Sequence, residues 1–305
     1  MTPDVTVIVE WDNSALAGSE RARQALAGLA REGAASSRRL EIVLCYGEDA
    51  APQTAAAGDG LPAGCRMLHV PGGRYYELKN HGVAGANGAL VAFLDSDAVP
   101  EPGWLSALLE PFSAPAVQVV AGHTHLETDT LWSKAFALWW FFPLRGGPEP
   151  LKPVAHFFAN NVAFRRQTIL VHPFPVREGA SRGACVELAA DLSRAGITIW
   201  KTTEARVSHP APRGRRHFVL RALAQGRDRL ARESGWRATL LGSFDRLARF
   251  TGATLIRTVR DRRQVALPST QVPAAVALGW LYYTLYFAGE LATLARLPAV
   301  RRVRV

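Results

Sequence analysis

The stretch Val91–Pro100, VAFLDSDAVP, sets two carboxylates, Asp95 and Asp97, one residue apart at the end of an apolar run. On an extended segment alternate side chains project to the same side, so the pair can converge on one cation. Two hard oxygen ligands suit Mg²⁺ or Mn²⁺, and such a metal usually bridges to substrate phosphates. In an open α/β sheet, ligands sit beyond the carboxyl ends of the strands, which is where this pair stands. An acidic turn capping the helix near Trp104 explains a bare Asp-x-Asp about as well, so the surrounding elements decide.

Those elements alternate. Val5–Val9, Leu40–Leu44, Arg66–Val70 and Leu90–Leu94 read as strands. Ala15–Arg31, Tyr76–Gly88 and Trp104–Phe112 read as helices, and 50–64 as an Ala/Gly/Pro loop. The alternation predicts an α/β fold with a mostly parallel sheet and helices on both faces. Beyond Val117 the pattern changes. VQVVAGHTHLE reads as strand, His156–Arg166 as a strand entering a turn, Leu131–Pro143 is a dense aromatic block, and Cys185–Ala195 is an amphipathic helix ending at Gly196. ITIWKTTEARVSHPAP gives a further strand and a loop. The expected organisation is a domain over 1–212, with halves of about 1–115 and 116–212, followed by a basic, hydrophobic helical extension over 213–305.

The chain has 305 residues, 48% of them hydrophobic, enough for a sizeable core. MTPDVTVIVEWD lacks the basic region of a secretory leader. Cys45, Cys65 and Cys185 are an odd, scattered set, which suggests neither a disulfide framework nor a zinc site and fits a reducing compartment. The net charge of +10 is concentrated: Ala205–Arg263 holds fifteen arginines against four acids, a net of +11, so the rest is about neutral. A nucleic-acid-binding reading would need phosphate contacts with a steep salt dependence. The arginines are instead interleaved with Leu and Phe at helical spacing, no nucleic-acid motif is visible, and no nucleic-acid partner is expected.

The segment LKNHGVAGANGALVAFLDSDAVPEPGWL (Leu78–Leu105) resembles the family-2 glycosyltransferases of the GT-A fold. A basic-Asn-x-Gly stretch (Lys79, Asn80, Gly82), a small-residue helix, the strand ending in Asp95-Ser96-Asp97, and Pro102 with Trp104-Leu105 follow in that family's order. VTVIVEWDN, NNVAFRR and VELAADLSRAGITI…ARVSHPAP extend the likeness over roughly residues 4–212. The resemblance implies a nucleotide-diphosphate sugar as donor. It implies a divalent metal, Mn or Mg, on the diphosphate, held by Asp97 and faced by His209. Asp95 would hold the sugar or ribose, Lys79 and Asn80 would line the nucleotide pocket, and Asn161 would contact sugar or acceptor. A cation takes up the charge of the departing nucleoside diphosphate. The sugar carbon becomes oxocarbenium-like, and the acceptor hydroxyl loses its proton to a base. A single displacement would invert the anomeric centre.

The chain departs from the family at two places. The usual Glu-Asp pair before the acceptor-side helix reads Ala184-Cys185. A thiol is largely protonated near neutral pH unless a basic neighbour assists it, and a free cysteine is more often a buried small hydrophobe. Glu187, and after it Glu178 and Asp191, are the other candidates for the base. After the second strand the family's acidic run reads Cys45-Tyr46-Gly47-Glu48. Tyr46 and Glu48 either meet the base or belong to a solvated loop. Glu10, where the family has proline, either reaches the ribose or base or only ends its strand. Asn160 and Asn161 suit a plain turn as well as a ligand contact.

Three features point to a membrane surface: the aromatic block, the Arg-rich Arg213–Arg232 with Phe218, Leu220, Leu223 and Leu230, and the charge-free, eighteen-residue Val272–Gly289. Arginines on both sides of the last run hold both ends on the cytoplasmic side, so a span, a shallow hairpin and a buried core helix all stay open. The expected function is a membrane-associated glycosyltransferase at the cytoplasmic face, acting on a lipid-linked or polysaccharide acceptor. The alternative is a non-catalytic nucleotide-sugar binder of the same fold.

Overall fold

The computed structural model describes residues 3–14, 18–48, 61–62, 64–176 and 183–297. Most of the 50–64 loop, the start of the first helix at Ala15, Glu178, and Arg301, Arg302 and Arg304 lie outside the described residues.

All six residues of β1 (Val5–Glu10) and of β4 (Leu90–Asp95) are buried. Strands covered on both faces read as continuous apolar runs, as these do in the sequence. β1 pairs in parallel with β4 on one side and with β2 (Leu40–Tyr46) on the other, and β2 pairs with β3 (Cys65–His69). Beyond β4 the direction changes. β8 (Asn161–Arg165) runs antiparallel to β4, and β6 (Val119–Leu126) antiparallel to β8. β9 (Ile199–His209) takes β5 (Val99–Pro100) and β7 (Lys152–Val154), both antiparallel. The nine-stranded order is β3-β2-β1-β4-β8-β6-β9-β5, with β7 off the path on β9.

The parallel group carries helices on both faces. On one, Val5, Val7 and Val9 meet Leu26 and Leu29 of α1 (Ser19–Ala35) and Trp104 and Leu108 of α3 (Trp104–Leu109). On the other, Ile8 and Phe93 meet Leu78 and Val83 of α2 (Tyr75–Ala84) and Leu188 of α6 (Ala184–Arg194). Gly82 lets α2 lie close to the sheet: a Cβ there would stand 2.6 Å from Ile8 Cγ2 and 2.8 Å from Cys45 Sγ. Three expected elements are shorter. α2 stops at Ala84, before the Gly-rich Gly85–Gly88 turn. α3 gives way at Glu110 to a 3₁₀ turn containing Pro111. The strand expected within 156–166 is confined to β8, because Asn161 N closes a turn on Phe158 O at 3.2 Å before it and Arg166 begins α5 (Arg166–Val171) after it.

The chain divides into two compact units. One holds β1–β5, β6 to Thr124, β7–β9, α1–α3, α5 and α6. The other holds α4 (Leu131–Trp139), α7 (Gly214–Leu230), α8 (Leu240–Asp261) and α9 (Val272–Leu294). In the second unit the aromatic block is core. Phe136, Trp139 and Trp140 are buried, and Phe136 and Trp139 pack on Tyr282 with ring centroids 5.6 and 5.4 Å apart. The Arg-rich segment does not present the lipid-facing side that its sequence suggests. Phe218 and Leu230 of α7 are buried, and Leu220 and Leu223 are half-buried. Their cover includes α9, drawn in by glycines: a Cβ on Gly226 would lie 2.0 Å from Tyr286 O, and one on Gly289 2.2 Å from Leu223 O.

Candidate active site

β4 delivers Asp95 to the carboxyl edge of the sheet, in register with Glu10 at the end of β1. Tyr75 and Lys79, four residues apart on α2, share one helix face and both reach it. Lys79 Nζ donates to Asp95 Oδ1 at 2.7 Å, and Tyr75 Oη donates to both oxygens at 3.0 and 2.8 Å. Asn13 Nδ2 adds a fourth contact at 3.2 Å. Lys79 is fully buried and Asp95 is 2% exposed. A buried ion pair persists when further hydrogen bonds satisfy the remaining atoms, as Tyr75 and Asn13 do here. The Lys79 ammonium also lies 4.7 Å from the Tyr75 ring centroid.

Asp97 faces elsewhere. β5 pairs with the end of β9, Val99 opposite Ser208, which brings His209 Nε2 to 3.2 Å from Asp97 Oδ2. Arg21, a buried side chain of α1, ties both segments together. Its Nε donates to Asp97 O at 2.9 Å, and its Nη2 donates to Ser208 O at 2.7 Å and Ser208 Oγ at 3.0 Å. The two aspartates therefore do not converge as their spacing alone suggests: the turn closed by Ala98 N on Asp95 O, at 3.0 Å, separates their tasks.

Asp97 and His209 form a carboxylate–imidazole donor set with its backbone braced by Arg21. Among the described residues no group of three or more His, Cys, Asp or Glu is placed to hold a metal by itself. Two protein ligands fit a hard divalent ion that completes its shell with donor phosphate and water.

The other expected residues lie as follows. Glu10 is buried and accepts from Asn13 N at 3.3 Å, which closes the turn after β1. Tyr46 stacks on His69 across the ends of β2 and β3, with centroids 5.0 Å apart, and Glu48 is exposed beyond them. Asn80 clasps the Phe174 backbone, donating to its O at 2.9 Å and accepting from its N at 3.1 Å. Asn161 is buried and spent inside the fold: its Oδ1 accepts from Trp104 Nε1 at 2.9 Å, and its Nδ2 donates to Ala205 O at 2.9 Å. Asn160 accepts from Thr124 Oγ1 at 3.0 Å.

Cys185 and Glu187 stand in the first turn of α6, two residues apart and so on different sides of the helix. Tyr76 Oη donates to Cys185 Sγ at 3.8 Å. Asp191 pairs locally with Arg194. Burial pushes the Cys45 thiol up to about 12 and the Cys65 thiol up to about 11, so both stay neutral at ordinary pH. Sequence reasoning missed Tyr75, Arg21 and His69. The i, i+4 spacing of Tyr75 and Lys79 was an available signal for the first. Arg21 had none, since its partners lie 76 and 187 residues away.

The family model of glycosyl transferase family 2 matches residues 20–172. The match includes α2, Asp95 and Asp97 and ends before Cys185 and His209. A pre-mycofactocin glycosyltransferase of Mycobacterium tuberculosis is 33% identical over 119 residues, which is 39% of this chain; the chain spans 23% of that relative's length. The solved mannosyltransferase PcManGT of Pyrobaculum calidifontis, in complex with GDP-Man and Mn²⁺, superposes with a TM-score of 0.56 at 14% identity, over 97% of this chain and 88% of that one. S. aureus TarS 1–349, in complex with UDP-GlcNAc, gives 0.50 at 12% identity, over 96% and 92%. These two likenesses are of fold, and the mixed sheet with its helical layers is the GT-A architecture.

Proposed function

The chain belongs to glycosyl transferase family 2, and from that premise we propose that it moves a sugar from a nucleotide-diphosphate sugar to a lipid-linked or polysaccharide acceptor, by a single inverting displacement. The observation that carries the reading is the Asp97–His209 pair at 3.2 Å, braced by Arg21 at the carboxyl edge of the sheet. These two side chains would hold a divalent ion, Mn or Mg, against the donor diphosphate. When bound, that ion supplies positive charge for the departing nucleoside diphosphate. Arg21 would keep the two ligands at fixed separation by bonding the Asp97 carbonyl and Ser208, the residue before His209. The Lys79–Tyr75–Asn13 cluster anchors Asp95 beside that edge and sets the path of the chain into Asp97. Tyr46 and His69, stacked on each other, would offer an outer ring face to a nucleobase, with Glu48 just beyond β2 and Glu10 at the end of the neighbouring β1 as candidate polar contacts.

For the base we take Glu187 over Cys185. A carboxylate accepts a proton at neutral pH without help, whereas a thiol must first lose its own. A second reading, a non-catalytic nucleotide-sugar binder, rests on the thiol at Cys185 and its contact with Tyr76. We place the protein at the cytoplasmic face of a membrane. Ser269–Leu294 is long and apolar enough to cross one, and basic residues dominate the second unit.

The experiment is donor turnover on detergent-solubilised protein, with UDP- and GDP-sugars in Mn²⁺, Mg²⁺ or EDTA. Metal-dependent release of nucleoside diphosphate, lost in Asp97→Ala, is expected. Metal-dependent binding without release, even with a membrane-lipid extract as acceptor source, overturns the enzyme reading in favour of the binder.

A further inference from the structure

α8 is the helix of the second unit with the most apolar surface left uncovered. Thr239 caps it, its Oγ1 accepting from Gly242 N at 3.3 Å, and on its inner side Arg246 is buried against Glu290 of α9 at 2.6 Å. Its outer side is apolar. Leu241 is 78% exposed and Ile256 62%, and Val259 and Phe244 are about half exposed. At 100° per residue these four lie within a third of the helix circumference. Trp236, just before α8, and Trp280, on the neighbouring α9, extend the same kind of surface, and both are exposed. Trp280 is fixed to α8 through Nε1, which donates to Thr251 O at 3.0 Å. Leu255 shares that third of the α8 circumference, which Ala248 and Gly252 leave uncharged and only Asp245, paired with Arg249, interrupts; an apolar face of this kind marks a docking surface rather than scattered exposure.

Its borders are basic. Residues 234–265 hold seven arginines against two aspartates, and Asp245 and Asp261 are paired with Arg249 and Arg260. Arg237, Arg249, Arg260 and Arg263 are exposed. A two-fold contact with a second copy would set these arginine borders against each other. An anionic leaflet satisfies both features: acyl chains take the ridge, headgroup phosphates take the arginines, and the two tryptophans sit at the boundary.

We propose that α8, with Trp236 and Trp280, is an in-plane docking face for an anionic bilayer, and that α9 is held beneath it rather than crossing. The inference rests on the membrane reading above and names the surface responsible. α9 cannot cross alone in this arrangement, because its glycine contacts bind it to α7, whose Arg215, Arg216 and Arg229 are exposed. Taking those arginines to mid-bilayer is strongly unfavourable.

The test uses the full chain and vesicles of phosphatidylcholine, alone or with roughly a third phosphatidylglycerol. The parent is expected to sediment with the anionic vesicles, less so in high salt, and to leave them in alkaline carbonate. Brominated acyl chains quench its tryptophans, and Trp236→Phe with Trp280→Phe removes most of that quenching. Leu241→Glu with Ile256→Glu lowers partitioning about 100-fold or more, from the loss of two buried aliphatic side chains. Donor turnover in detergent stays at the parent level and reports that the variant is folded. If the parent binds and the glutamate variant binds equally, this face is wrong while the membrane reading stands. If the parent binds no vesicles, both fall, and a dimer in solution that the glutamates dissociate would assign the ridge to a second copy. Retention through carbonate extraction overturns the in-plane placement.

Discussion

Replacing Lys79 with methionine keeps an unbranched stem of similar length and removes the ammonium that faces Asp95 at 2.7 Å. The aspartate would remain 2% exposed, with Tyr75 and Asn13 as its donors and no positive charge beside it. Breaking a buried pair by removing one partner costs about 3–5 kcal/mol, since the other charge is left uncompensated. Spread over a domain of roughly 200 residues, a loss near the middle of that range lowers the melting temperature by about 8–16 °C. The natural reporters are Trp11 and Trp104, both buried in the same unit, read by fluorescence during urea unfolding. Lys79→Met combined with Asp95→Leu removes both charges, and well-packed apolar replacements of a buried pair are often neutral, so the double variant regains at least about half of the loss. Asp97→Asn serves as the control, because it leaves the Lys79 cluster whole. If Lys79→Met unfolds within about 1 kcal/mol of the parent, or if the double variant is less stable than the single, the buried-pair reasoning is refuted.

Other expectations concern the site and its supports. Asp97→Asn and His209→Gln each lower metal-dependent donor turnover about 100-fold or more while moving the urea midpoint less than Lys79→Met does, since each replacement is close in shape and the pair shares a single contact at 3.2 Å; equal turnover in EDTA and Mn²⁺ would contradict this. Asn161→Ala destabilises by about 2–3 kcal/mol, because it leaves Trp104 Nε1 and Ala205 O buried without partners, and denaturation curves measure it. Burial raises the Glu41 carboxyl pKa, but hydrogen bonds from Thr6, Asn87 and Arg66 outweigh it and hold the group down to about 2, against an ordinary 4.5. A depressed carboxyl adds stability that is present above pH 4.5 and lost as pH falls through about 2. Glu41→Gln should therefore flatten the acid limb of the stability profile in that window, and an unchanged limb would assign it to other carboxylates.

Part of this molecule is written locally. Strand patterns at Val5–Val9, Arg66–Val70 and Leu90–Leu94, each followed by a helical pattern, determine that the first part is an α/β layer, because strand and helix periods are properties of short segments. The Lys79–Asn80–Gly82 stretch and Asp95-Ser96-Asp97 determine the family for the same reason: their order along the chain is their content. What each polar atom faces was decided only by the tertiary structure. Lys79 and Asn80 are neighbours in sequence, yet one neutralises Asp95 and the other clasps Phe174. Arg21 braces Asp97 and Ser208 across 76 and 187 residues. Asn161 reads as a turn or a ligand and is a brace between Trp104 and Ala205. Both α7 and α8 carry Leu, Phe and Arg at helical spacing. Packing on α9 through Gly226 and Gly289 covers apolar residues of α7, while Leu241 and Ile256 of α8 stay open. A buried polar group must find a partner or be left at a cost of about 1–3 kcal/mol, and that partner is whatever distant segment the fold brings within 3 Å or so. The period of a segment states its own shape; the partner belongs to the chain as a whole.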